Sequence, residues 1–180
     1  MSFWRVGASQ NWELYMLNVD MEDTDNRYRL DVTDPHAKIF ALAMQGLYEV
    51  EIGGVEPAAA ATDVVLADEG REIVATVAQA VVNTAAQREA LDGVIGAHLT
   101  CDWTVDRLGA VERNILRLGV YMMQQRVWSA EPDKFNFDVA AYVRNIAARC
   151  AAEYCGDKAH ALVMGVLDAV AHTLKAAKAE

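Results

Sequence analysis

Apolar side chains recur along most of this chain at steps of three and four residues, the spacing that lines one face of an α-helix. Asp34-Pro35 reads as an N-cap followed by proline at the first helical position. From there Phe40, Ala43, Met44, Leu47 and Val50 form a stripe that Gly53-Gly54 ends. After an alanine-rich segment behind Pro57, a second stripe runs through Ile73, Val77, Val81, Thr84, Leu91, Ile95 and Leu99, with a break expected near Asn83 or Asp92-Gly93. Leu108, Val111, Ile115, Leu118 and Met122 form a third, suited to a helix packed lengthwise on its neighbours. Val139, Val143, Ala147, Cys150 and Tyr154 form a fourth, and Val163, Val166, Leu167, Val170 and Leu174 a fifth, with a stop and new start at Gly156-Asp157. No run alternates with period two over any length, so the pattern predicts an all-α bundle. In the opening segment Trp12, Leu14 and Met16 fit a strand, while Trp12, Tyr15, Met16 and Val19 fit a helix.

A chain of 180 residues, 53% of them hydrophobic, suits one domain around one core. The wholly apolar stretches, such as Ala161 to Leu167, fall far short of the roughly 18 residues a bilayer-spanning helix needs. No charged-then-apolar leader opens the sequence, and a cytoplasmic protein is expected. Cys101, Cys150 and Cys155 are odd in number and lack a C-x-x-C pair, which predicts reduced thiols rather than a disulfide framework or a zinc site.

The net charge of −10 argues against nucleic acid until its distribution is considered. Residues 1 to 35 carry three basic and seven acidic side chains, 36 to 100 three and nine, and 101 to 180 ten and ten. Any face that meets a polyanion should therefore draw on the last 80 residues.

Catalytic signatures are missing. There is no phosphate-cradling glycine loop, no H-E-x-x-H and no G-x-S-x-G. His36, His98, His160 and His172 are scattered over different segments, which favours surface or packing roles over a metal site. The carboxylates fall in polar contexts such as Asp20 to Asp25 and Asp68-Glu69, not in an apolar pocket that would separate two pKa values. Neither catalytic residues, a metal nor a cofactor is expected, and the protein is read as a non-enzyme.

The stretch from Trp103 to Tyr121, WTVDRLGAVERNILRLGVY, resembles the central helix of the NusB family of transcription antitermination factors, roughly W-x-x-x-R-L-x-x-x-E-R-x-I-L-R-L-A-x-Y. Leu91-Asp92 with Ile95 to Leu99 is similar to the family's preceding L-D-x-x-I-x-x-x-L. Val163-Met-Gly-Val-Leu-Asp168 is similar to its V-N-G-V-L-D, and Met44-Gln-Gly-Leu-Tyr48 to its V-Q-A-L-Y. The four stretches keep the family's order, which divides the chain into an N-terminal extension over 1–35 and a NusB-like helical domain over 36–180.

The resemblance implies a bundle of about seven helices that binds boxA-like RNA together with the ribosomal protein NusE, within the transcription complex, in antitermination and ribosomal-RNA processing. Its RNA-binding positions fall here on Lys38, Gln45 and Tyr48 in the first helix, and Lys158 and His160 near the last are expected to join Lys38 in one electropositive RNA-binding pocket. The alternative is a NusB-like adaptor that binds protein and has lost autonomous RNA binding. Relatives that are monomers and relatives that are dimers leave both states open for this chain. Departures are clear: the family's arginine run becomes Pro35-His-Ala-Lys-Ile-Phe40, its I-N-E-A becomes Arg144-Asn-Ile-Ala147, and Met122 and Met164 replace polar residues. Fewer phosphate contacts imply weak RNA binding by the chain alone. The residues themselves predict Trp103, Leu108, Ile115, Leu116 and Leu118 in the core, Asp168 as a partner for Arg113 or Arg117, and a close helix approach at Gly165. In the extension Trp4, Trp12, Tyr15, Met16 and Tyr28 supply aromatic and apolar surface that either caps the bundle or docks a partner.

Overall fold

The Asp34 carboxylate accepts a hydrogen bond from the His36 amide at 3.0 Å, and Pro35 occupies the first turn, so α1 (Pro35–Gly53) starts where the sequence places it. It ends at Gly54, whose left-handed φ of 64° is open to glycine without strain. The computed structural model describes residues 30–31, 33–65, 70–100, 102–125 and 138–177. Over these follow α2 (Pro57–Asp63), α3 (Arg71–Ala86), α4 (Arg88–Gly96), a 3-10 turn (Val105–Arg107), α5 (Ala110–Gln125), α6 (Val139–Cys155) and α7 (Asp157–Ala176). Seven helices and no strand among the described residues agree with the all-α expectation. Trp4, Trp12, Tyr15, Met16, Tyr28, Asp20 to Asp25, Asp68-Glu69, Cys101 and Pro132 lie outside the described residues.

Helix α5 is the central strut. All ten residues from Asn114 to Met123 are buried, and α1, α3, α4, α6 and α7 pack around it. Periodicity alone assigns α5 one apolar stripe, off which Asn114 and Arg117 fall, and Arg117 reads from the sequence either as a helix-surface cation or as half of a buried pair. They are buried instead, Arg117 at 3% exposure, since acidic side chains of α1 and α4 meet them. A helix surrounded on all sides is expected to be apolar all round unless its polar groups are paired in this way. The second stripe breaks at Gln87 (φ −100°, ψ 13°), between the two expected positions.

Helices α6 and α7 form an antiparallel hairpin across Gly156, whose φ of 90° suits glycine. Lys175 near the end of α7 bonds Asp138 at the start of α6, with Nζ to Oδ2 at 2.8 Å. Arg144 and Asp168 pair across the middle. Asp168 is therefore the partner of Arg144, a cation at the altered I-N-E-A site, and not of Arg113 or Arg117, which find acids on α1 and α4.

Two further expectations are corrected. Trp103 is 48% exposed, while Leu108, Ile115, Leu116 and Leu118 are core. Trp103 lies before the 3-10 turn with the Arg107 guanidinium 5.3 Å from its ring centroid, a cation–π contact at the surface rather than a core packing. The close approach expected at Gly165 occurs at Gly119, where an added Cβ would stand 2.8 Å from Leu167 Cδ1. Gly165 is exposed with nothing within 4 Å of such a Cβ. Gly165→Ala should thus stabilise the fold by about 1 kcal/mol, the helix-propensity difference. Gly119→Ala gains the same propensity but overpacks Leu167, at a cost of about 1–3 kcal/mol. Denaturant midpoints that move together in both variants would refute this assignment of the packing glycine.

Candidate nucleic-acid interface

Lys38, Gln45 and Tyr48 are spaced seven and three residues apart, which sets them in one row along α1. The opposite side of the helix buries Ile39, Phe40, Ala43, Gly46 and Leu47 against the bundle. Lys38 and Gln45 are half-buried and Tyr48 is 40% exposed, followed one turn later by Ile52 at 57%. Glu49 flanks the row. Burial pushes its carboxyl above the usual range, and Asp63 of α2 adds to that effect.

The start of the row is held by a contact that spans the sequence. The Tyr142 hydroxyl of α6 donates to Asp34, the residue that caps α1, and His36 Nδ1 lies 3.3 Å from the same hydroxyl with its ring edge-on to the tyrosine. Burial, then the Asp34 carboxylate, pushes the Tyr142 phenol up, so it stays a donor. Sequence reasoning missed Tyr142, which lies between Val139 and Val143 and has no local motif to mark it.

The far end of the row is fixed more strongly. Glu51, with its side chain 10% exposed, accepts from Arg113 Nη2 at 2.6 Å, Asn114 Nδ2 at 2.8 Å and Arg117 Nη1 at 3.1 Å. Arg117 also forks onto both oxygens of Asp92 at 2.6 and 2.7 Å, and Arg113 Nη1 donates to the Leu108 carbonyl at 2.7 Å. One carboxylate thus ties α1 to α5, and through Arg117 to α4. Bidentate, charge-assisted bonds of this kind fix orientation as well as contributing energy.

Lys158 and His160 lie in the first turn of α7, Lys158 exposed and His160 half-buried. The hairpin brings them to the end of α6 opposite Tyr142, and Lys38 to the Tyr142 end. Fourteen residues of α6 separate Tyr142 from Gly156, about 20 Å at 1.5 Å per residue. The structure groups Lys38, Gln45 and Tyr48, groups Lys158 with His160, and does not bring the two groups into one pocket. Arg149, exposed on α6 between the two ends, was not singled out from the sequence.

Among the described residues, no group of three His, Cys, Asp or Glu side chains is placed to hold a metal ion, and no helix is long and apolar enough to cross a membrane. Cys150 is buried. Burial, then Glu112, pushes the half-covered Cys155 thiol up to about 11, which leaves it a poor nucleophile at neutral pH.

The chain is 37% identical over 93 residues to the transcription antitermination protein NusB of Corynebacterium jeikeium, an alignment covering 51% of this chain and 41% of that protein. It is 31% identical over 134 residues to the protein of the same name from Bacillus pumilus, covering 74% of this chain and 92% of the relative. The chain spans about half the length of the first curated relatives it matches. A crystal structure of the antitermination factors NusB and NusE in complex with dsRNA contains a chain that superimposes with a TM-score of 0.64 at 27% identity, covering 77% of this chain and 97% of that one. The model of the NusB family matches residues 40–172, which take in most of α1, α2 to α6 and most of α7, and the chain belongs to that family.

Proposed function

We propose that this protein is an RNA-binding factor of transcription antitermination and ribosomal-RNA processing, which acts in the cytoplasm with NusE on boxA-like RNA. Its activity is binding rather than catalysis. The observation that carries this reading is the family match over 40–172 together with a 27% identical fold solved with NusE and dsRNA. In this reading the bundle from residue 36 onward does the binding. Lys38, Gln45 and Tyr48 meet phosphates and bases along α1, and Lys158 and His160 meet the strand about 20 Å away, a span that suits several nucleotides of single-stranded RNA.

With so few cations in the first turn of α1, affinity for RNA alone should be weak and its salt dependence modest, and NusE should raise the affinity. The measurement is titration of boxA-like RNA at two salt concentrations, with and without NusE. The expected result is binding that falls about tenfold or more between 50 and 200 mM salt and strengthens on addition of NusE. Absence of RNA affinity at low salt under both conditions would overturn the proposal and leave a protein adaptor.

A further inference from the structure

The polar network that anchors the end of α1 is not neutral. It sets two carboxylates, Glu51 and Asp92, against three guanidinium groups, those of Arg113, Arg117 and Arg88. The side chains of Arg113 and Arg117 are 14% and 3% exposed, whereas that of Arg88, the first residue of α4, is 56% exposed. The surplus positive charge therefore stands at the surface.

Arg88 is close to Glu51 without being bonded to it. The Glu51 carboxylate already accepts four donors, Nε and Nη2 of Arg113 on Oε1 and Asn114 Nδ2 and Arg117 Nη1 on Oε2. A carboxylate offers about four lone-pair sites, so its capacity is filled. Arg88 Nη2 stops 3.9 Å from Oε1, beyond hydrogen-bond range. Asp92, one turn further along α4, is taken as well, both of its oxygens by Arg117. Glu89, the next residue, lies about 100° around the helix, where neighbours in sequence do not face each other. Among the described residues Glu51 is the one ion-pair partner of Arg88, and it has no acceptor left to give.

This cation stands beside the α1 row. Glu51 follows Tyr48 by three residues, which makes the two neighbours on the helix surface. We propose that Arg88 is a further RNA-contacting residue, which binds a phosphate where the strand passes Tyr48, so that the row Lys38, Gln45 and Tyr48 continues onto α4. The inference rests on the RNA-binding reading of that row. An aromatic ring beside a guanidinium suits a single strand: the exposed Tyr48 offers a surface for a base, and the planar fork of Arg88 matches two phosphate oxygens. Turning from Glu51 to a phosphate costs Arg88 almost nothing, because an exposed pair without a hydrogen bond adds little to stability. From Lys38 to Glu51 the track covers thirteen residues of α1, about 20 Å.

The test is titration of boxA-like RNA, with NusE present, into the full chain and three full-length variants at salt concentrations from about 50 to 200 mM. The variants are Arg88→Gln, Arg88→Lys and Arg71→Gln. Arg71 is an exposed arginine at the other end of α3, fifteen residues or about 22 Å of helix before Ala86, and serves as the control for loss of one positive charge. Arg88→Gln should bind about fivefold more weakly at about 0.1 M salt and lose about 0.7 from the slope of log affinity against log salt. Arg88→Lys should keep the slope and lose about twofold, since the charge remains and the fork is gone. Arg71→Gln should bind within about twofold of the parent, and all three should melt within about 2 °C of it. An Arg88→Gln variant that matches Arg71→Gln in affinity and slope, beside a parent that binds, would overturn the proposal and leave the RNA-binding function standing. If Arg88→Lys lost as much slope as Arg88→Gln, the residue would be a structural one and the phosphate contact would fall. A parent that binds no RNA at any salt concentration would sink the function and the contact together.

Discussion

Glu51→Ala should lower the melting temperature by roughly 10 °C, the largest stability change expected for any single polar side chain of this fold. Glu51 is the shared acceptor for Arg113, Asn114 and Arg117, and those side chains cannot turn to water without unpacking α5, which is buried from Asn114 to Met123. Removing one partner of a buried pair costs about 3–5 kcal/mol, because the remaining charge stays desolvated. In a chain of this size about 2–4 °C accompanies each kcal/mol. Asp92→Ala should cost less, since its side chain is 25% exposed and Arg117 would keep Glu51. Combining Glu51→Ala with Arg117→Met isolates the cause: the double variant should be more stable than the sum of the single changes predicts, because an apolar side chain then fills the site of an unpaired cation. A Glu51→Ala variant within about 0.5 kcal/mol of the parent in denaturant titration would place this network among inert surface pairs.

The helices were readable from the sequence because each has a local cause. Asp34-Pro35 is a complete start signal, Gly53-Gly54 a complete stop, and the stripes from Phe40 to Val50 and from Val163 to Leu174 repeat at helical spacing, which is a property of consecutive residues. Apart from Trp103, which meets Arg107 four residues on, what the sequence left open or misread concerns partners distant in sequence. Arg117 could be a surface cation or half of a buried pair until Glu51, 66 residues away, is known to face it. Asp168 pairs with Arg144, 24 residues away, because the hairpin register sets those two turns opposite each other. Gly119 and Gly165 are equally placed inside helices, and only the position of Leu167 shows which one lets two helices touch.

The candidate site divides in the same way. The row Lys38, Gln45 and Tyr48 is a helical face and could be drawn from the numbering alone. That Lys158 and His160 stand about 20 Å along α6 from Tyr142 could not, since it depends on the direction in which α6 and α7 run. Tyr142, 108 residues from Asp34, was invisible for the same reason. The family resemblance proposes individual residues for RNA contact, but the distances between them had to come from the packed helices.

Reversing the charge of Lys38 and Lys158 should weaken boxA-like RNA binding by roughly thirtyfold in the double variant, with NusE present and at about 0.1 M salt. Lys38→Glu should account for about tenfold, through one lost phosphate contact and the repulsion of an added carboxylate. The substitution leaves α1 intact, because an acidic side chain in the first turn suits the positive end of the helix. Lys158→Glu should cost about threefold, since Lys158 is an exposed cation at the start of α7 that keeps part of its hydration in either state. The two effects should multiply. Tyr142, beside the start of α1, and Gly156, beside Lys158, lie about 20 Å apart along α6, more than the roughly 10 Å screening length at that salt and beyond the range over which substitutions couple. For single-stranded RNA each lost contact should also flatten the plot of log affinity against log salt by about 0.7, so the double variant should lose about 1.4 from its slope. Unchanged affinity and slope in both single variants, with melting temperatures also unchanged, would remove α1 and the start of α7 from the RNA path and leave the fold without the interface assigned to it.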